Sequence, residues 1–134
     1  MKTYVEFRCD RFPPAPGEPK RLNRGRWGQR LAEFLATSLS QRGVETGDLV
    51  AEDWGWIVPV VMAGHRCCIG CGNVEEFADG FLCFIEARIP WHRPFRRADH
   101  RTAIEALQRE LDEILSDAAG IRDKRWSTRE EFGS

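Results

Sequence analysis

Two segments of this chain repeat apolar residues at helical spacing, and the long segment between them switches to a period of two. Trp27, Leu31, Phe34, Leu35 and Leu39 form one stripe within residues 24–42. Ile104, Leu107, Leu111, Ile114, Leu115 and Ala118 form another within residues 100–118. A helix with one apolar stripe must bury it against a different layer. The segments around and between the helices supply that layer as strands, predicted over residues 3–9, 49–54, 56–62, 66–71, 81–88 and 121–126. The pattern predicts an α+β two-layer sandwich: a mainly antiparallel sheet of four to six strands with two amphipathic helices on one face. The other face, or an edge, is then free for binding. A chain of 134 residues suits a single domain, residues 1–134, with one core.

Local punctuation sets the expected boundaries. Asn23 is placed to cap the first helix and Gly43 to end it in a left-handed turn, with Val44 behind it. Asp99 is the expected cap of the second helix, and Gly120 its end. Pro13, Pro14, Pro16 and Pro19 forbid regular structure and predict an extended loop. Pro90 and Pro94 interrupt the chain around Trp91, His92 and Arg93. Residues 49–62 form either two strands or one strand bent at Gly55, and Pro59 predicts an edge or a bulge there. Ala63-Gly64 fits a hairpin turn, and residues 72–80 form an acidic loop. Ser127-Thr128-Arg129-Glu130 has capping-box spacing and predicts one final helical turn.

Composition narrows the function classes. Apolar runs fall short of the ~20 residues that span a bilayer, so no membrane partner is expected. The first residues lack the apolar stretch of a signal peptide, which predicts a cytoplasmic location. A net charge of −1 neither demands nor excludes nucleic acid. Charge is nonetheless segregated, with Glu45, Asp48, Glu52, Asp53, Glu75, Glu76 and Asp79 in the middle. One basic stretch (Lys20, Arg21, Arg24, Arg26, Arg30) precedes them, and another (Arg88, Arg93, Arg96, Arg97, Arg101) follows. The plain reading is solvated faces; the sharper one is a bipolar surface that docks a charged partner. Five cysteines, an odd number, argue for reduced thiols rather than a disulfide framework.

Three constellations could carry chemistry. His65, Cys67 and Cys71 share a strand face, with Cys83 within reach, a set zinc accepts; the spacing lacks a second ligand pair, so no metal or other cofactor is expected. Cys71, between Gly70 and Gly72, is the thiol most open to a substrate, but it would need a nearby base such as His65, His92 or His100. Adjacent carboxylates, as in Glu52/Asp53 and Glu75/Glu76, point to opposite strand faces and make no ready acid–base pair; Glu52 with Glu86 could span a cleft. No catalytic residue is assigned from these patterns.

The strongest recognition chemistry is Glu52-Asp53-Trp54-Gly55-Trp56. On a regular strand Trp54 and Trp56 share a face, either packed under the helices, as Trp27 is expected to be, or open as an aromatic platform beside two acids. The platform lacks the interleaved basic residues of a nucleic-acid surface, so nucleic acid is disfavoured. The sequence resembles a group of small uncharacterised bacterial proteins through Arg26-Trp27-Gly28-Gln29-Arg30-Leu31-Ala32, Glu52-Asp53-Trp54-Gly55-Trp56, Ile69-Gly70-Cys71-Gly72-Asn73 and Asp79-Gly80-Phe81-Leu82-Cys83-Phe84-Ile85-Glu86. Its size and architecture also resemble immunity proteins that neutralise bacterial toxins. That resemblance implies a cytoplasmic domain working by tight protein binding and carries over no catalytic residue. The expected function is a non-enzymatic protein-binding module, more narrowly an immunity-type protein whose partner is a toxin. Its binding residues would be Glu52, Asp53, Trp54, Trp56, Glu75, Glu76 and Asp79. The alternative is a small-molecule-binding protein or enzyme with a site around Cys71, His65 and Glu52.

Overall fold

The structure is a computed structural model that describes residues 1–18, 22–88 and 97–133. The expected breaks at Pro90 and Pro94 lie outside the described residues, as do Pro19, Lys20, Arg21, Trp91, His92, Arg93 and Arg96.

Alternation of Val5, Phe7 and Cys9 with Tyr4, Glu6 and Arg8 sets β1 (Tyr4–Arg8), whose first set is buried. The first helix, α1 (Gln29–Gln41), starts later than Asn23 would place it. Gly25 takes a left-handed φ of 79°, which breaks a helix, and Asn23 instead accepts a hydrogen bond from Arg26 N in a turn. The N-cap is Gly28, which brings no capping side chain of its own. At the other end Gly43 has φ 82° and Val44 N donates to Leu39 O at 2.9 Å, the left-handed end expected there.

The central segment forms β2 (Glu45–Thr46), β3 (Val50–Glu52), β4 (Gly55–Met62), β5 (His65–Asn73) and β6 (Gly80–Ala87). Residues 49–62 are therefore two strands, closed by a two-residue turn at Asp53 and Trp54 with Glu52 opposite Gly55. Both β2 and β3 pair with the same side of β4, one beyond each side of Pro59. Pro59 O accepts from Gly47 N at 2.9 Å, so the missing Pro59 N–H faces the gap between the two short strands. Ala63 and Gly64 both have positive φ, 51° and 77°, the geometry of a tight hairpin turn.

After β6 come α2 (Arg97–Asp117), β7 (Arg122–Ser127) and α3 (Arg129–Gly133). The second helix begins before Asp99, which lies inside it and is not its cap. The final capping box sits one residue later than expected. Thr128 Oγ1 accepts from Glu131 N at 3.1 Å and Glu131 Oε1 accepts from Thr128 N, because Ser127 is still paired with Tyr4 in the sheet.

The protein is α+β, a two-layer sandwich. Its sheet runs β2-β4-β5-β6-β1-β7, with β3 also on β4, and each pairing among the described residues is antiparallel. Seven strands exceed the four to six expected; the two-residue β2 is the unforeseen one. Both long helices cover the same face: Leu31, Leu35, Leu39, Leu107, Leu111 and Leu115 pack against Val5, Val58, Ile69 and Ile85 in one core. Each such fully buried leucine contributes about 1.5–3 kcal/mol relative to exposure. Trp27 is half-buried and packs at the margin of this core.

Candidate functional site

Strand β5 carries Gly70 and Gly72 two residues apart, so both face away from the helices. Without side chains there, β5 forms a trough on the open face. Phe84 of β6 lies over Gly70, where a Cβ would collide with its ring. Trp54, from the β3–β4 turn, places its carbonyl oxygen 3.0 Å and its ring 3.8 Å from where a Gly72 Cβ would be. The rings continue across the sheet. Trp54 and Phe84 centroids are 5.2 Å apart, Phe84 and Tyr4 5.6 Å, and Tyr4 and Phe132 of α3 5.2 Å. This row bounds a cleft of about 530 Å³.

The loop of residues 74–79 forms the rim. Glu75 and Glu76 are exposed there and line the cleft. Arg26 reaches in from the segment before α1, 3.3 Å from Glu75, and donates to Asn73 O at 3.3 Å. The buried Asn73 side chain holds that segment: its Oδ1 accepts from Trp27 N and its Nδ2 donates to Gly25 O, both at 3.0 Å. On the loop's other flank, Asp79 accepts from Arg8 at 2.9 Å and also from Arg122. The Arg8 hydrogen bond, joined by Arg122, holds the Asp79 carboxyl below its ordinary value. Arg8 also lies 4.3 Å above the exposed Phe77 ring.

Of the seven residues expected to bind a partner, three meet in this cleft: Trp54, Glu75 and Glu76. Glu52 and Asp53 belong to the adjoining hairpin, where Asp53 is exposed and its carbonyl accepts from Asn23 N. Asp79 sits at the loop's far end in its arginine pairs. Trp56 is a correction: it does not share a face with Trp54. It is 4% exposed in the helix-covered core, opposite Cys71. Strand alternation does not pass through Trp54, because Trp54 is a turn residue.

The set Cys71, His65 and Glu52 is not brought together. Cys71 is fully buried under the helices, and His65 stands at the other end of β5, about 20 Å along the strand. The His65 ring instead packs on His100 at 4.7 Å. Burial first, and then the neighbouring Cys83, push the Cys71 thiol well above its ordinary value, which keeps it protonated and a poor nucleophile. Burial likewise pushes Cys67 up to about 11. Among the described residues no group of three or more His, Cys, Asp or Glu is placed to hold a metal ion.

Sequence reasoning missed Glu18, Tyr4, Phe84, Phe132 and the position of Arg26. Glu18 is wholly buried, and its Oε2 accepts from Gly28 N and Gln29 N at 2.7 Å and from Trp56 Nε1 at 2.8 Å. Its Oε1 accepts from Ala15 N at 2.8 Å. A carboxylate from the proline-rich loop thus caps α1 where Gly28 cannot. One signal was available: Glu18 is the only acidic residue between Asp10 and Glu33. For the rings, the signal was the Gly70-x-Gly72 spacing beside aromatic strands.

No protein-family model, curated protein or solved structure matches this chain. Among the described residues, no helix is long and apolar enough to cross a membrane.

Proposed function

We propose that this protein is a non-enzymatic binding module that docks a partner protein in the cleft beside Trp54. One observation carries the reading: a row of four aromatic rings, rimmed by exposed carboxylates, on the sheet face that neither α1 nor α2 covers. Exposed indole and phenyl surface supplies the apolar anchor of an interface, and carboxylates around it steer a basic partner. Trp54, Glu75 and Glu76 form the centre of the proposed contact, with Glu52, Asp53 and Asp79 as its acidic surroundings. Trp56 leaves the set because it belongs to the core. The narrower form of the proposal is an immunity-type protein whose partner is a bacterial toxin.

The test is an affinity capture from native-host extract, with wild type and a Trp54→Ala/Glu75→Lys variant side by side. The expected result is a stoichiometric protein captured by the wild type and lost from the folded variant. A partner retained equally by the folded variant rejects the cleft as the docking site. Growth arrest on expressing the captured partner alone, relieved by co-expression, supports the immunity form.

The cleft volume also favours a second reading, a small organic ligand, since about 530 Å³ lies within the roughly 300–1,000 Å³ range of such sites. That site is the Trp54 cleft, not the surroundings of Cys71.

A further inference from the structure

We infer that the group recognised in the cleft is an arginine side chain of the partner protein, its guanidinium lying over Trp54 and Phe84 and against the Glu76 carboxylate; the inference rests on the binding-module reading above. Three observations lead to it. The ring row offers π faces, which attract cations and are most effective in tryptophan. The rim is acidic but only partly neutralised. Arg26 pairs with Glu75, whereas Glu76 is exposed and has no cation partner among the described residues.

The third observation is a template within the molecule. On the other flank of the same loop, Arg8 lies 4.3 Å above the Phe77 ring and 2.9 Å from Asp79. Ring and carboxylate there hold a guanidinium supplied by the chain itself. Trp54 and Glu76 line the same cleft, and Arg26, which also lines it, is paired with Glu75 and not with Glu76. A planar, weakly hydrated guanidinium suits a flat ring and a carboxylate together, while an ammonium is more strongly hydrated and cannot stack.

The inference is tested with acetyl-Gly-Arg-Gly-amide, its citrulline counterpart and its lysine counterpart, each titrated into the full chain at low salt. Binding is followed by the NMR shift of the Trp54 indole N–H. The arginine peptide is expected to bind in the millimolar range, and the citrulline peptide about tenfold more weakly, because it keeps the shape and loses the charge. The lysine peptide falls between them. Glu76→Gln, an exposed change that leaves the fold intact, weakens arginine binding about three- to tenfold and leaves citrulline binding unchanged. Equal responses to arginine and citrulline, or none to either, overturn the inference. The binding-module reading is then judged separately, by whether the captured partner is lost from the folded Trp54→Ala/Glu75→Lys variant.

Discussion

The two faces of this sheet come from alternate residues of the same strands yet are built on different rules. On the helix-covered face, Trp56, Val58, Ile69, Cys71 and Cys83 are buried, and the buried carboxyl group of Glu18 beside them has four hydrogen-bond donors. On the open face, β5 offers glycines instead of side chains, and Trp54 and Phe84 lie across them at partial exposure. Burial favours a partner for each polar group on the covered face, and Glu18 has its full set, whereas the buried Trp27 indole N–H at the core margin has none among the described residues. Exposure lets the open face keep rings and carboxylates in one cleft, the arrangement that the proposed binding role uses. The two tryptophans show the contrast most directly. Trp56 spends its indole N–H on Glu18 inside the core, and Trp54 leaves its ring at the cleft.

The largest effect expected from breaking this contrast is at Glu18. Glu18→Ala strands three backbone N–H groups and one indole N–H, and should lower unfolding stability by about 3–5 kcal/mol in urea denaturation. Glu18→Gln should cost less, since an amide oxygen can keep the three contacts made at Oε2 and forfeits the one to Ala15. A loss below about 1 kcal/mol for the alanine variant would mean the carboxylate is not the cap of α1.

Gly70→Ala tests the open face with a smaller effect. The new methyl group meets the Phe84 ring, which must swing away. The expected cost is about 1–3 kcal/mol, typical of overpacking. The sharper readout is the Trp54 environment, because its ring neighbour moves; an unchanged Trp54 indole resonance in NMR counts against the glycine trough as the basis of the cleft.

A pH scan separates the faces with the smallest effects. Burial raises the Cys67 thiol from 9.0 to about 11, and Cys71 on the same face is raised as well. The unfolded chain therefore loses these protons first. For Cys67 the contribution to stability is intact below its ordinary 9.0 and is lost as pH rises towards about 11. Cys67→Ala should flatten that alkaline limb of thermal melts. Asp79 shifts the other way, so its contribution is present above the ordinary 3.8 and fades as pH falls below it. Asp79→Asn should flatten the acid limb alone; a variant that alters both limbs would show that loop and core titrate together.

The sequence by itself determined the layers. The stripes of α1 and α2, the alternation of β1, the left-handed Gly43 and the Ala63-Gly64 turn were all legible, because each depends on contacts or backbone angles within a few residues. It also pointed to Trp54, Glu75 and Glu76, three residues that do share the cleft. It misread Trp56, since period-two reasoning carried a strand through what is a two-residue turn. For Glu18 as the cap of α1, ten residues away across a proline-rich loop, it held only the lone acid between Asp10 and Glu33, and for Phe132 beside Tyr4 it held no signal. Those relations were decided by tertiary structure alone. Local sequence sets which face a side chain takes, but only the sheet order and the docking of loops decide what meets it there.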